Sequence, residues 1–348
     1  MIRLAWLQAR TQTVTAMIGL AVVATVLLVS GPNLAHLYAT LIAPCAVTDS
    51  CSESTIREFL RHDREIHDAL QILVMVVPGI IGIFWGAPLV AREIEARTFL
   101  LAWTQSVTRT RWLAAKLGVI AVASMAVAGL LSLMSTWWNH PLDRVVQNAY
   151  STFDARNIAP IGHAIFGFAL GVTAGVLIRR TLPAMATVAV VFTSARLTIT
   201  HWVRPLLYTP VRLAVALDVR STGVFRSSTG ALTLDPSTPR IANAWIVSSK
   251  IVDGSGAGLT RTAFTTICPQ LAVTEPKPAP AGRTKAPDDV RAALETCVTN
   301  VGKSYHLLVS YHPASRYWSF QWFEVGAYIA AAIALAALCV WSVRRRSV

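Results

Sequence analysis

The chain is poor in charge. Only 14% of its 348 residues are Asp, Glu, Lys or Arg, while 54% are hydrophobic; a soluble globular domain carries about a quarter charged residues. Acids are the scarcer sign: 18 Asp and Glu against 31 Lys and Arg leave a net charge of +13. Such a surplus raises the question of nucleic acid. The basic residues, however, form no single face and no helix interleaved with stacking aromatics. They stand in short clusters at the ends of apolar runs, the pattern of membrane topology signals, and no nucleic-acid partner is expected. A phosphate-binding loop is missing too. Val301-Gly302-Lys303-Ser304 has the end of one, but the position five before Gly302, where another glycine belongs, is Cys297. The chain itself therefore offers no nucleotide site and no cofactor. Metal motifs are equally thin. The cysteines make no paired short-spaced set, and His62 and His67 are five apart where zinc helices use four. Their cluster with Asp63, Glu65 and Asp68 reads as the solvated side of an amphipathic helix over Ile56–Leu70.

What the chain does have is apolar runs of bilayer length, about 20 residues each. They are Val14–Ser30, closed by Gly31-Pro32; Leu70–Val90; Leu113–Ser135, ending at Trp137-Trp138; Ile161–Ile178; Leu182–Val203; and Phe323–Val343, followed by three arginines. The fold class expected is a membrane all-α protein with about six transmembrane helices. Lys and Arg in the short connections set the orientation. A cytoplasmic N-terminus places Arg3, Arg10, Arg92, Arg97, Arg109, Arg111, Lys116, Arg179, Arg180 and the terminal arginines inside. The outer segment Gly31–Ala69 then holds three arginines against six acids. Both termini are cytoplasmic in this arrangement, and the protein sits in the cell membrane. The organisation expected is 1–200 as helices one to five, 201–322 as an extracytoplasmic domain, and 323–348 as the sixth helix with a basic tail. The start reads as an uncleaved first helix rather than a signal peptide, since no small-residue cleavage site follows it. Ile2–Gln12 fits a short helix lying in the inner interface, or an ordinary polar lead-in.

Four of five cysteines, Cys45, Cys51, Cys268 and Cys297, fall in the segments assigned to the outside. An even number on the oxidising side suggests two disulfides, and pairing within each segment is the simplest of three connectivities. The runs Ala244–Val252 and Tyr305–Tyr311 read as strands, while Val273–Asp289 is rich in Pro, Lys and Ala and reads as a mobile insert. A small disulfide-tied mixed α/β domain between the fifth and sixth helices follows from these features.

Charges inside a membrane are costly and mark function by default. Arg196 lies toward the outer end of the fifth helix. It either lines a substrate path, with Glu324 at the start of the sixth helix as its partner, or snorkels to the outer headgroups. His163, near the outer start of the fourth helix, has the same two readings. Gly167, Gly171 and Gly175 repeat every four residues, as do Gly82 and Gly86; such faces serve close packing within one subunit or a dimer seam. Pro78-Gly79 and Pro88 predict kinks in the second helix.

The inner loop 91–112 mixes acids, arginines and aromatics, which suits docking to a protein surface; the plainer reading is an interfacial helix anchored by Trp103 and Trp112. Its turn Ala91-Arg92-Glu93-x-Glu95 and the run Leu101-Ala102-Trp103-Thr104-Gln105-Ser106-Val107-Thr108-Arg109 resemble the first cytoplasmic loop of type-2 ABC transporter permeases, in the form common in actinobacteria. The block from Tyr311 to Glu324 is similar to the segment leading into the last helix of the same permeases. Arg97 departs from that pattern, which has glycine after the acidic turn. The resemblance implies the membrane subunit of an ATP-driven exporter of amphipathic molecules such as drugs, antibiotics or lipids. It also implies a separate cytoplasmic ATP-binding cassette partner, which carries ATP and Mg and performs the hydrolysis, and a second permease copy beside it among the membrane lipids. The loop would then carry a coupling helix. Its ATPase interface would comprise Arg92, Glu93 and Glu95 at the turn, with Trp103, Thr104, Gln105, Arg109 and Arg111 beyond it. A membrane receptor or regulatory protein with a ligand-sensing outer domain is the alternative from another class.

Overall fold

A computed structural model describes residues 2–46, 51–95, 109–217, 222–226, 232–236, 239, 241–269, 271 and 288–345. The chain divides into two compact units. One is Met1–Leu207 with Ser315–Val348, and the other is Tyr208–Ala314.

The first unit is helical. Among the described residues, six helical segments are long and apolar enough to cross a membrane: Thr13–Ala46, Arg64–Arg92, Leu117–Val146, Ala149–Ile178, Thr181–Leu206 and Ala314–Val343. Helix α1 runs Ile2–Leu37 without interruption and continues through a π turn, Tyr38–Ile42. Two expectations change here. Ile2–Gln12 is not a separate helix, and Gly31-Pro32 does not close the first span. Proline inside a helix removes one hydrogen bond and costs about 3 kcal/mol. Packing on both sides of Pro32 offsets this. Leu27, Leu34 and Ile42 are buried in one cluster with Leu131, Trp138 and Leu142, and Trp138 Nε1 donates to Ser30 Oγ at 2.9 Å. For the same reason the third span does not stop at Trp137-Trp138.

The amphipathic stretch after the first span is two helices rather than one. Ser52 caps α2 (Glu53–His62) by accepting from the Thr55 amide at 3.2 Å, and the chain breaks at Asp63, φ −116° and ψ 27°. Helix α3 (Arg64–Ile80) contains Pro78 and gives way to a π segment, Ile81–Gly86, before α4 (Ala87–Glu95). His67 is engaged by side chains, not by a metal-type cluster: its Nδ1 lies 2.5 Å from Asn139 Oδ1 and its Nε2 2.9 Å from Gln71 Nε2. The third span belongs to α5 (Arg109–Val146) and the fourth to α6 (Ala159–Ile178). Arg179 and Arg180 alone connect α6 to α7 (Thr181–Thr198), and Arg179 takes the left-handed conformation, φ 60°, that ends the helix.

The glycine stripes meet within one subunit. A Cβ on Gly171 would sit 2.8 Å from Gly86 Cα, one on Gly175 would sit 2.6 Å from the Ala87 carbonyl oxygen, and one on Gly82 would strike the Gly167 carbonyl. Backbones this close let the second span lie along the fourth, whose described residues are mostly buried.

The second unit has its own core. Strands β1 (Val211–Val215), β4 (Trp245–Asp253) and β5 (Tyr305–His312) form an antiparallel sheet in the order β1-β5-β4, and β2 (Thr222–Arg226) pairs with β3 (Leu232–Pro236). Leu307 and Val309, alternate residues of β5, face a cluster with Phe264, Val298 and Val301. These last three come from α8 (Arg261–Ile267) and α9 (Asp288–Gly302). Helix α9 takes up the last two residues of the Val273–Asp289 stretch; residues 273–287 lie outside the described residues. Disulfides join Cys45 to Cys51 and Cys268 to Cys297, each within its own segment. The sixth span belongs to α10 (Tyr317–Arg345), in which Cys339 is buried.

Candidate functional site

Asp154, His163, Arg196, Arg204 and Glu324 gather at one end of the first unit. They lie where α7 hands the chain to the second unit and α10 receives it back. A 3-10 segment, Ala149–Ala155, precedes α6 there. The first amides of α6 have no intrahelical partner, and Gln321 supplies one: its Oε1 accepts from the Ala159 amide at 3.0 Å. Gln321 Nε2 donates to the Phe153 carbonyl at 3.1 Å. Gln321, Glu324 and Tyr328 share one face of α10 at helical spacing, and that face is applied to α6 and the 3-10 segment.

Arg196 and Arg204 lie eight residues apart, which in a regular helix leaves them about 80° out of line. The π segment Ile199–Val203 between them takes up the difference with a wider turn. Both guanidiniums then reach the same two carboxylates. Arg204 Nη2 lies 2.5 Å from Asp154 Oδ1 and 2.7 Å from Glu324 Oε2. Arg196 Nη2 lies 3.3 Å from Asp154 Oδ1, and its Nη1 lies 3.4 Å from Glu324 Oε1. His163 completes the group, with Nε2 3.0 Å from Glu324 Oε1 and the Arg196 guanidinium against the same ring. Its other side meets the Tyr328 ring edge to face. His163 is fully buried, and Glu324 is 2% exposed.

Burying a lone ion costs several kcal/mol, and such ions persist when paired and hydrogen-bonded. Two guanidiniums offset two carboxylates here, so the group closes on itself. Asp154, His163 and Glu324 also present metal-type ligand atoms within 4.8 Å of one another. Those atoms already receive the arginines, and two cations where a metal would sit oppose a third. The chemistry is that of a salt-bridge network joining three spans.

Arg196, His163 and Glu324 are thus brought together. Arg196 is buried among acids and does not extend toward a surface. Asp154 and Arg204 are the members that sequence reasoning missed as site residues. Asp154 lies between the third and fourth apolar runs, and no periodicity marks it.

At the other end of the spans, Glu95 closes α4. Thr181 donates to it twice, from its amide to Oε1 at 3.1 Å and from its hydroxyl to Oε2 at 2.6 Å. The Thr181 hydroxyl and amide, with Arg180 and Arg92 nearby, hold the Glu95 carboxyl below the ordinary carboxylate value. Arg92 is exposed and shares α4 with Glu93, and Arg109 and Arg111 open α5. Trp103, Thr104 and Gln105 lie outside the described residues.

The family described as ABC-2 membrane transporter related matches residues 17–204. The chain belongs to that family. It is a type-2 ABC transporter permease and a multi-pass membrane protein, and the family implies an ATP-binding cassette partner in general. The matched stretch of the permease covers its first five spans and includes Asp154, His163, Arg196 and Arg204, while Glu324 comes from beyond it. No curated protein and no solved structure matches the permease.

Proposed function

We propose that this permease is the membrane subunit of an ATP-driven exporter of amphipathic molecules. A cytoplasmic ATP-binding cassette subunit docks on Arg92–Arg111 and holds the ATP and Mg, and a second permease copy completes the pathway through the lipid. The N-terminus, the 91–112 loop and the C-terminus face the cytoplasm, and the second unit with its disulfide lies outside.

The observation that carries the reading is the buried network of Asp154, His163, Arg196, Arg204 and Glu324. Charges are expensive between apolar spans, and here they tie the 3-10 segment and three helices together at the proposed outer end. A link of that kind closes a path until the helices are driven apart, and ATP binding in the partner would shift the population from closed to open. The substrate path then runs past His163, Arg196 and Glu324 when the network separates. The separately compact, disulfide-tied second unit favours one other reading, a ligand sensor.

Co-purification decides between them. The full chain, expressed with the ATP-binding cassette protein encoded beside it, should purify as a complex and move an amphipathic dye into sealed vesicles on ATP addition. A chain that stays alone, and binds a small molecule through residues 208–314, would favour the sensor. A cysteine introduced at Thr108 should react with a membrane-impermeant reagent only after cells are opened; reaction in intact cells would reverse the orientation.

A further inference from the structure

Glu95 stands in the proposed docking stretch, yet both of its carboxylate oxygens already have partners on the fifth span. Thr181 opens α7, and Arg180 before it supplies no side-chain cap. The first amides of a helix have no intrahelical partner, and its N-terminal end favours a negative charge. Glu95 meets both needs from 86 residues away. The two elements also share a core, because Ala87 of α4 is buried with Ala184 and Val188 of α7. From Thr181, α7 runs to Arg196, about 22 Å at 1.5 Å per residue, and there the guanidinium enters the Asp154–Glu324 network.

We infer that Glu95 is a positioning residue that ties the docking stretch to the start of the fifth span, so that movement of that stretch travels along α7 to the charge network. The role rests on the transporter reading above. It differs from the direct docking role proposed for Glu93. It also explains how one acid of the turn serves coupling without touching the ATPase. The bond is between a carboxylate and two donors, so an amide at position 95 can still accept from the Thr181 amide and meet its hydroxyl, whereas alanine cannot.

The test uses the full permease with its cassette partner in lipid vesicles, in a Cys339→Ala background. A bimane label is placed on a cysteine replacing Leu197, a residue 51% exposed next to Arg196. ATP should shift the label's emission in the parent chain and in Glu95→Gln. In Glu95→Ala the complex should still assemble and hydrolyse ATP, with the shift reduced about ten-fold, the size of ordinary coupling between sites. Thr181→Val should weaken the shift, and adding it to Glu95→Ala should change nothing further. An unchanged shift in Glu95→Ala, or no shift in the parent complex, overturns the inference. Loss of the complex in both Glu95→Ala and Glu95→Gln makes Glu95 a docking contact and overturns it while leaving the permease reading intact. If no ATPase accompanies the parent chain, the transporter reading fails. The tie is then judged on the chain alone. Hydrogen exchange over the first turn of α7 must speed up about five-fold in Glu95→Ala, as for a lost cap, and stay near the parent rate in Glu95→Gln. Equal rates in all three overturn the tie as well.

Discussion

Arg204 and Glu324, separated by 120 residues, meet through two donors on one acceptor. Arg204 Nε lies 3.1 Å and Nη2 2.7 Å from Glu324 Oε2. This contact joins the end of the fifth span to the start of the sixth on either side of the chain's excursion into the second unit.

Breaking that contact from one side leaves a buried ion without its partner. Arg204→Met should destabilise the detergent-solubilised chain by about 3–5 kcal/mol, read as a loss of monodisperse protein on heating. Arg204→Met combined with Glu324→Gln should recover part of the loss, since neither charge is then stranded. A double variant less stable than the sum of the single ones would show that the two do not act as a pair.

The glycine contacts set a steric limit between the second and fourth spans. Gly171→Ala places a methyl 2.8 Å from Gly86 Cα and the Ala87 amide, and overpacking of this kind costs about 1–3 kcal/mol. Gly118→Ala and Gly326→Ala, at exposed helix positions, meet nothing within 4 Å and should raise the melting temperature slightly, since alanine is the better helix former. Equal effects at all three positions would mean that helix propensity, and not close approach, governs these sites.

The two disulfides should differ in worth. Cys268–Cys297 closes a 29-residue separation and Cys45–Cys51 a separation of 6. The longer loop loses more unfolded-state freedom, so its removal by paired serine substitution should cost about 3–4 kcal/mol and removal of the shorter about 2. Thermal unfolding of the two double-serine chains checks the order.

The turn after β4 should respond to acid. Asp253 accepts from the Ser255 hydroxyl at 2.6 Å and from the Ser255 and Ala257 amides at 2.9 and 3.0 Å, and the Ser255 hydroxyl leads the contacts that lower its carboxyl from the ordinary value. A carboxylate favoured in the fold adds stability above its unfolded pKa, near 4 for Asp, and that stability is lost as pH falls through the lower folded value. Amide exchange at Ser255 and Ala257, corrected for intrinsic rates, should show protection that is flat above about pH 4 and falls below it. In Asp253→Asn the dependence should disappear.

Several elements were legible in advance, others not, and the difference is physical. The strands at Ala244–Val252 and Tyr305–Tyr311 appear within a residue of their observed bounds, because β-branched and aromatic side chains that favour strands are concentrated there locally. The ends at Gly31-Pro32 and Trp137-Trp138 misled, because proline and a tryptophan pair are break signals only when nothing packs beyond them, and here Leu34, Ile42 and Leu142 do. His163, Arg196 and Glu324 drew notice as polar groups in apolar runs. Asp154 did not, since an aspartate in a loop carries no local mark of the arginines it will meet.

By itself the sequence determined that this chain crosses a membrane several times and carries a folded, disulfide-tied insertion before its last helix. Transfer of a segment into hydrocarbon depends on that segment's own side chains, so composition suffices. Only the tertiary structure decided that Asp154, Arg196, Arg204 and Glu324 neutralise one another, and that Glu95 holds the start of the fifth span. An ion pair or a distant cap is a property of two positions brought together in space, and its energy exists only once the helices that carry them have packed.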